Sequence, residues 1–401
     1  LELCQYVSDV QGFQVEKYCR EALKILQVCA AYKPAFIYGG PTMSVSMLAE
    51  RLVNAGIETE VYASTANGKE ELPVIPGERV VVDGVPVTYF RRLTGDHSHY
   101  SPALFRQLRR EVKNFDIVHI HTWWNLVSIF SCLIALKNNV PVLLSARGTL
   151  SPYSFQNKNI GVKWLIHHLL GKTLLQKCHL HATSKREADA LSDLFKPKSI
   201  AVLPNFVKLP KERVFIPREI SAVFKLLFFS RIEEKKGLDL LIRALQAVNV
   251  PYELTVAGDG DADYVTSLKE LAGETGLTGK IEWIGFQNEN KFELMQGHDL
   301  FILPSYDENF GNVVIETLFV GTAVLISEDV GLEDYVNVNN LGWICHTNPA
   351  SVARHINHIA VEHRDDLVRI RNAAPGIITQ DFNEEHLVKK YSDLYQNLIR
   401  K

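Results

Sequence analysis

Glu308 and Glu316 stand with seven residues between them in SYDENFGNVVIE (Ser305 to Glu316), and the residues around them suit a sugar nucleotide. The preceding DLFILPS is an apolar run of strand length, whereas GNVVIETLFVG carries its apolar residues at helical spacing between two glycines. A helix beginning near Gly311 leaves the N–H groups of Asn312 and Val313 without intrahelical acceptors, at the positive end of the helix dipole, where a diphosphate can bind. Glu316, about one turn further in, can accept from both hydroxyls of a ribose. Glu308, in the loop beyond the strand, borders the space left for a sugar.

A second set of groups carries the charge that such a ligand needs. In FFSRIEEKKG, Arg231 ends a strand and Lys236 precedes Gly237 and a helix, so two cations reach one cleft. Breaking a sugar–diphosphate bond leaves negative charge on the diphosphate. A helix terminus contributes only about 0.3–1 kcal/mol to holding it, so fixed cations are needed. Gly39-Gly40, between the first strand and a helix, permit close backbone approach to a ligand. In DIVHIHTWWN the two histidines are expected to face opposite ways, with His121, at the strand's carboxyl end, entering the cleft and His119 packing in the sheet. His121 could orient hydroxyls or relay a proton. Trp123 and Trp124 offer faces for stacking on an acceptor sugar, or aromatic packing under a helix. Arg147, ending another strand, can take a phosphate or an acceptor carboxylate bidentately. Asp259, Asp261, Asp263 and Glu270 fall at calcium-loop positions, but Tyr264 replaces the required glycine, so this stretch reads as a turn and a capped helix. No metal is expected.

These groups must be positioned by a large α/β framework. The chain has 401 residues, 46% hydrophobic and 22% charged, which describes a globular protein of two domains. Strand-length runs alternate with amphipathic stretches: ILQVCA, TEVYAS, DIVHIHT, PVLLSAR, HLHATS and IAVLPN in the first half, then KLLFFSR, YELTVAG, KIEWIGF, DLFILPS, TAVLIS and GWICH. Such alternation specifies parallel sheets covered by helices, with ligands beyond the carboxyl ends of the strands and an active site between the domains. Asp83-Gly84 reads as a tight hairpin turn. Prolines at 204, 210 and 217 mark the domain boundary.

Six cysteines without metal-type spacing are expected to be reduced. Neither a membrane span nor a signal peptide is read, so the expected location is the cytosol. Residues 1–210 hold 24 Lys and Arg against 17 Asp and Glu, a net of +7, which leaves −10 for the remainder of a chain of net charge −3. No acidic residue occurs from Ile117 to Arg186. The basic run 158–177 reads as an amphipathic helix, core-facing by default, whose basic side could meet an anionic membrane face or a phosphate-bearing acceptor. Nucleic acid is disfavoured, since no RNP-type aromatic pattern or basic helix with heptads is present.

The E-x7-E spacing, with Phe310-Gly311 inside it, resembles the signature of family 4 glycosyltransferases of the GT-B fold, and the similarity runs in order over roughly residues 25–400. The resemblance implies two Rossmann-like domains facing a cleft. Residues 1–24 form an extension of unclear role, 25–208 an acceptor-binding domain, 209–380 a nucleotide-sugar domain, and 381–401 a helix returning to the first domain. It implies that Glu308 approaches the transferred sugar and that Glu316 holds the ribose. It also implies that Arg231 and Lys236, in R-x4-K-G, bind the donor phosphates. Gly39, Gly40, Phe310, Gly311, Asn312 and Val313 would line the donor site. His121 would lie beside the sugar, with Arg147, Trp123 and Trp124 on the acceptor side. The implied reaction is retaining transfer, without metal or cofactor, from a UDP- or GDP-linked sugar to a saccharide or lipid-linked acceptor in cell-surface glycan synthesis. It would take place in the cytoplasm, at the inner membrane face if the first domain binds lipid. A GT-B sugar-nucleotide epimerase and a non-catalytic scaffold are the alternatives.

Overall fold

The structure, a computed structural model, describes residues 23–151, 153, 171–210 and 222–400. The sequence expectations for residues 1–22, for most of the run 158–177 and for the proline-marked boundary beyond 210 lie outside the described residues.

Two sheets of buried strands organise the described chain. The first is built from β1 (Lys24–Cys29), β2 (Glu58–Ser64), β3 (Arg79–Val82), β4 (Val85–Phe90), β5 (Ile117–His121), β6 (Val142–Ser145), β7 (His179–Ala182) and β8 (Ser199–Val202). Their spatial order is β8-β7-β6-β5-β1-β2-β4-β3. Every neighbouring pair is parallel except β3 and β4. That pair is the hairpin turned by Asp83 and Gly84, both at positive φ (48° and 83°), the geometry a two-residue loop needs to follow strand twist. The second sheet contains β9 (Phe224–Phe229), β10 (Tyr252–Ala257), β11 (Ile281–Gly285), β12 (Leu300–Leu303), β13 (Ala323–Ser327) and β14 (Gly342–Cys345), ordered β11-β10-β9-β12-β13-β14 and wholly parallel. In both sheets the order reverses beside the first strand, which opens a crevice at the strand carboxyl ends.

Helices cover both faces, because central strands such as LFIL and AVLIS are buried throughout and leave no wet side. The helices that matter for the site are α1 (Gly40–Asn54), α2 (Leu126–Lys137), α3 (Lys185–Leu194), α4 (Leu238–Leu245), α5 (Asn312–Phe319), α6 (Arg364–Asp381) and α7 (Glu384–Ile399). Polar residues start three of them: Asn125, Ser184 and Asn383 accept from the backbone three residues on, at 2.8, 3.2 and 3.0 Å. On the first sheet, Leu26, Val28, Val118 and Ile120 pack with α2 on one face. Ile25, Ile117 and Leu143 point to the other, where they meet Met47, Leu48 and Leu52 of α1. Leu387, Tyr391, Tyr395 and Leu398 of α7 complete that face, so the chain's last helix belongs to the core of its first sheet. The calcium-like stretch is a turn and a capped helix: Asp261 accepts from Tyr264 N at 3.2 Å. Among the described residues no helix is long and apolar enough to cross a membrane.

Candidate active site

The loop after β12 carries Glu308, with Glu316 in the helix that follows, and the loop backbone is fixed by the turn after β13. Glu308 N donates to Asp329 O at 3.0 Å, and Gly331 N donates to Glu308 O at 2.7 Å. Gly311 then takes the left-handed conformation (φ 90°) as the N-cap of α5, a position that favours glycine. Among the described residues the N–H groups of Asn312 and Val313 have no protein acceptor, so the N-terminus of α5 is open, a geometry that suits an anion. Phe310 does not line this space with its ring. It is buried and packs edge-on against Phe382, because an apolar ring between two loop acids gains more from the core than from a polar cleft.

Lys236 Nζ forms a hydrogen-bonded ion pair with Glu308 Oε2, the two side chains only 11% and 16% exposed. Burial alone would push the Glu308 carboxyl up. The Lys236 ammonium, by charge and hydrogen bond, with Lys235 close by, outweighs that and holds it below the usual carboxylate range. Gly237 permits the placement of Lys236, since its φ is 70° and a Cβ there would lie 2.1 Å from Pro304 O. Glu316 pairs with Lys291 at 2.8 Å. Burial raises its carboxyl, and Lys291 offsets only part of that rise. Arg231 pairs with Glu233 at 2.8 Å and keeps 48% of its side chain exposed. A Cβ on Gly39 would stand 3.3 Å from Arg231 Nε, so the Gly39-Gly40 loop of the first domain and the Arg231 loop of the second face each other closely. Gly40 begins α1.

On the first domain the geometry corrects three expectations. His119 and His121 lie on the same face, ring centroids 4.2 Å apart, as residues two apart on a strand must. Both are buried. His121 does not offer a nitrogen to the cleft: Arg147 Nε donates to its Nδ1 at 3.2 Å, and its Nε2 meets Gln27 Oε1 at 2.6 Å. Burial, with His119, Arg147 and His181 nearby, lowers its basicity well below the ordinary imidazole value, so it is neutral. Trp123 is wholly buried in the core with α2 and cannot stack on a sugar, while Trp124 is half-buried and donates its indole N–H to Thr149 O. Arg147 sits at φ 51° before Gly148 at φ 77°, and its Nη1 donates to Asn205 Oδ1 at 2.9 Å. Its Nη2 has no protein partner among the described residues.

Sequence reasoning passed over Asn309 and Glu187. Asn309, between Glu308 and Phe310, donates from Nδ2 to Thr183 Oγ1 at 2.8 Å and to Glu187 Oε2 at 3.2 Å. Glu187 also accepts from Gly148 N at 2.9 Å and from Thr183 N at 2.7 Å. One carboxylate of α3 therefore ties the Arg147-Gly148 loop to the Glu308 loop of the other domain. Arg186 adds bonds to Glu328 O and Asp329, and Ser151 Oγ donates to Asp307 at 3.2 Å. The one signal for Glu187 is the capping pattern Ser184-x-x-Glu187, which marks a helix start but carries nothing of its reach across the cleft.

Comparison with known proteins agrees with this architecture. Residues 38–210 match Glycosyltransferase Family 4, and residues 214–394 match Glycosyl transferases group 1. An uncharacterized glycosyltransferase of Methanocaldococcus jannaschii is 24% identical, covering 93% of this chain and 98% of its own. The fold is similar to sucrose-phosphate synthase from Thermosynechococcus elongatus (TM-score 0.72, 17% identity, 94% of this chain and 99% of that one). It is also similar to HepE from Anabaena, solved in complex with UDP and glucose (TM-score 0.70, 19% identity, 94% and 100%). The two crevices, the paired cations and carboxylates at their mouth, and these matches lead to one assignment: the chain belongs to the family 4 glycosyltransferases, enzymes of the GT-B fold.

Proposed function

We propose that this glycosyltransferase moves a sugar from a nucleoside diphosphate donor, bound at the second domain, to a hydroxyl of a saccharide or lipid-linked saccharide held by the first. The reaction retains anomeric configuration and is independent of metal. The observation that carries the reading is the Lys236–Glu308 pair set beside the open N-terminus of α5, with Glu316 one turn further in. HepE, solved with UDP and with UDP-glucose, supports a nucleotide-linked donor.

The reaction follows from these groups. The bond from the anomeric carbon to the β-phosphate oxygen breaks, and its electron pair goes to the diphosphate. Lys236, Arg231 and the N–H groups of Asn312 and Val313 receive that charge. The acceptor oxygen forms its bond from the same face and gives its proton to the departing phosphate oxygen. Before the donor arrives, Glu308 occupies Lys236. A diphosphate competes for the same ammonium, which frees the carboxylate to face the sugar.

The test is a calorimetric screen of UDP- and GDP-linked sugars, followed by turnover with saccharide and lipid-linked acceptors. Glu316→Ala is expected to weaken binding of the bare nucleoside diphosphate, whereas Glu308→Ala impairs transfer with that affinity nearly intact. Equal losses in both variants would refute this division of labour. Donor converted to its epimer without acceptor would refute transfer.

Glu316 also gives the nucleotide site a pH dependence. Only the ionised form accepts from both ribose hydroxyls, and its raised carboxyl protonates at a pH above the ordinary glutamate range. Nucleotide affinity should therefore fall earlier on acidification than an unperturbed carboxylate would give. Lys291→Met removes the offsetting charge, so the pH at which nucleotide affinity begins to fall should move upward in the variant. Calorimetry of parent and variant over a pH series checks this, and coincident profiles for the two would overturn it. The sign for folding is opposite: a carboxyl raised in the folded state favours folding more as pH falls.

A further inference from the structure

Arg147 is one end of a continuous, buried line of hydrogen bonds that passes through Tyr395 of the last helix and ends at Leu203. Arginine can only donate, so the contact from Arg147 Nε makes His121 Nδ1 the acceptor and places the proton of that neutral ring on Nε2. His121 Nε2–H then donates to Gln27 Oε1 at 2.6 Å, and the amide of the same side chain donates from Nε2 to Tyr395 OH at 3.3 Å. Tyr395 in turn donates to His119 Nδ1 at 2.8 Å. His119 Nε2–H donates to Ser145 Oγ at 2.7 Å, Ser145 donates to His181 Nδ1 at 2.7 Å, and His181 Nε2–H ends on Leu203 O at 2.9 Å. Each donor and acceptor role follows from the one before it. Gln27, His119, Ser145, His181 and Tyr395 have no exposed surface, so none can exchange its partner for water.

We propose that Gln27 and Tyr395 are positioning residues for the transfer reaction: they hold His121 as the Nε2–H tautomer, whose bare Nδ1 aims the guanidinium of Arg147 so that Nη2 faces the cleft. The proposal rests on the reading of Arg147 as a substrate-side cation. With Nε and Nη1 engaged by His121 and Asn205, Nη2 is the guanidinium nitrogen left without a partner among the described residues, and its direction is set from behind rather than by the ligand. Losing the Gln27 acceptor or the Tyr395 hydroxyl leaves a buried donor or acceptor unpaired, and the line relaxes toward Arg147.

The test compares Gln27→Met and Tyr395→Phe with Tyr391→Phe. Tyr391 is a control on the same helix: its hydroxyl is equally buried and bonded, to His181 Nε2 at 3.1 Å and to Pro204 O at 3.2 Å, but it does not stand between α7 and His121. All three variants should lower the melting temperature. In protein labelled with nitrogen-15 in histidine and arginine, Gln27→Met and Tyr395→Phe should shift the His121 ring nitrogens and the Arg147 Nε–H resonance, while Tyr391→Phe, whose hydroxyl also lies near Arg147, leaves the His121 nitrogens in place. UDP-glucose turnover, read as UDP release, should fall roughly 10- to 100-fold for the first two, with UDP affinity unchanged, and stay near the parent value for Tyr391→Phe. Unmoved His121 and Arg147 resonances in Tyr395→Phe, or equal shifts and equal rate losses in Tyr391→Phe, would overturn the proposal. Arg147→Ala separates it from the reading on which it rests: full turnover in that variant removes the role of Arg147, whereas the resonances still report whether the line positions it.

Discussion

Lys236→Ala is expected to lower kcat by roughly 10²–10³-fold at saturating donor, the loss seen when a preorganised group that receives developing negative charge is removed. Arg231→Ala should fall in the same direction, but its half-exposed side chain shares its charge with Glu233, and water can partly replace it. Lys236 differs in a second way. Its removal strands Glu308 in a site where both partners are mostly buried, so unfolding should become easier by about 3–5 kcal/mol. The double variant Lys236→Ala with Glu308→Ala separates the two effects: stability should largely return, because no uncompensated charge remains, while the rate should not. Steady-state kinetics and urea denaturation of the three proteins decide it. An unchanged kcat in Lys236→Ala would show that the diphosphate leaves without its help.

The second large effect is expected at Asn309, which touches no proposed substrate position and yet stands inside the carboxylate loop. Its amide reaches Thr183 and Glu187 in the other domain, and its carbonyl accepts from Ser184 Oγ at 3.3 Å. The fit is close: a Cβ on Gly148 would lie 3.0 Å from the Asn309 Cβ, and one on Gly331 would lie 1.9 Å from the Asn309 carbonyl oxygen. Asn309→Ala should release the Glu308 loop from the Arg147-Gly148 loop and reduce kcat roughly 10²-fold, the order of loss a misplacement of about 1 Å brings. Affinity for the bare diphosphate should be preserved, because α5, Lys236 and Glu316 all belong to one domain. Paired with Glu187→Ala in a double-mutant cycle, the coupling should be about 0.5–3 kcal/mol. Additive losses would mean that the two residues act separately.

What could be read from the sequence was what depends on neighbours along the chain. The strands, the Asp83-Gly84 hairpin, the glycine-led start of α5 and the strand-end setting of Arg231 are all local patterns, and a period of 2 or 3.6 residues reports them directly. The histidines show how easily such a pattern is misapplied: alternation places His119 and Val118 on opposite faces, not His119 and His121. Trp123 was ambiguous because an aromatic residue just after a strand suits a cleft or a core equally well, and only packing under α2 decides. The remaining parts were beyond local patterns. Asn309 meets Glu187 across 122 residues of sequence, and one clue, a lone glutamine in the apolar strand KILQVC, had no partner within reach of any periodicity. A buried amide must find hydrogen bonds somewhere, so Gln27 marked a polar contact without naming it.

The place of α7 in the first sheet's core bears on how the protein is made. Gln27 and Tyr395 are 368 residues apart, so the ribosome has produced the entire second domain before the first can close its face. Until then Ile25, Ile117 and Leu143 have α1 and Phe206 but not α7 against them on that side, and the buried imidazoles lack their tyrosine partners. The second domain, with sheet and core drawn from one continuous stretch, can fold during synthesis, whereas the first waits until α7 has been made. Translation therefore finishes the domains in the reverse of their order in the gene, and a nascent chain paused before α7 would expose apolar surface that chaperones recognise.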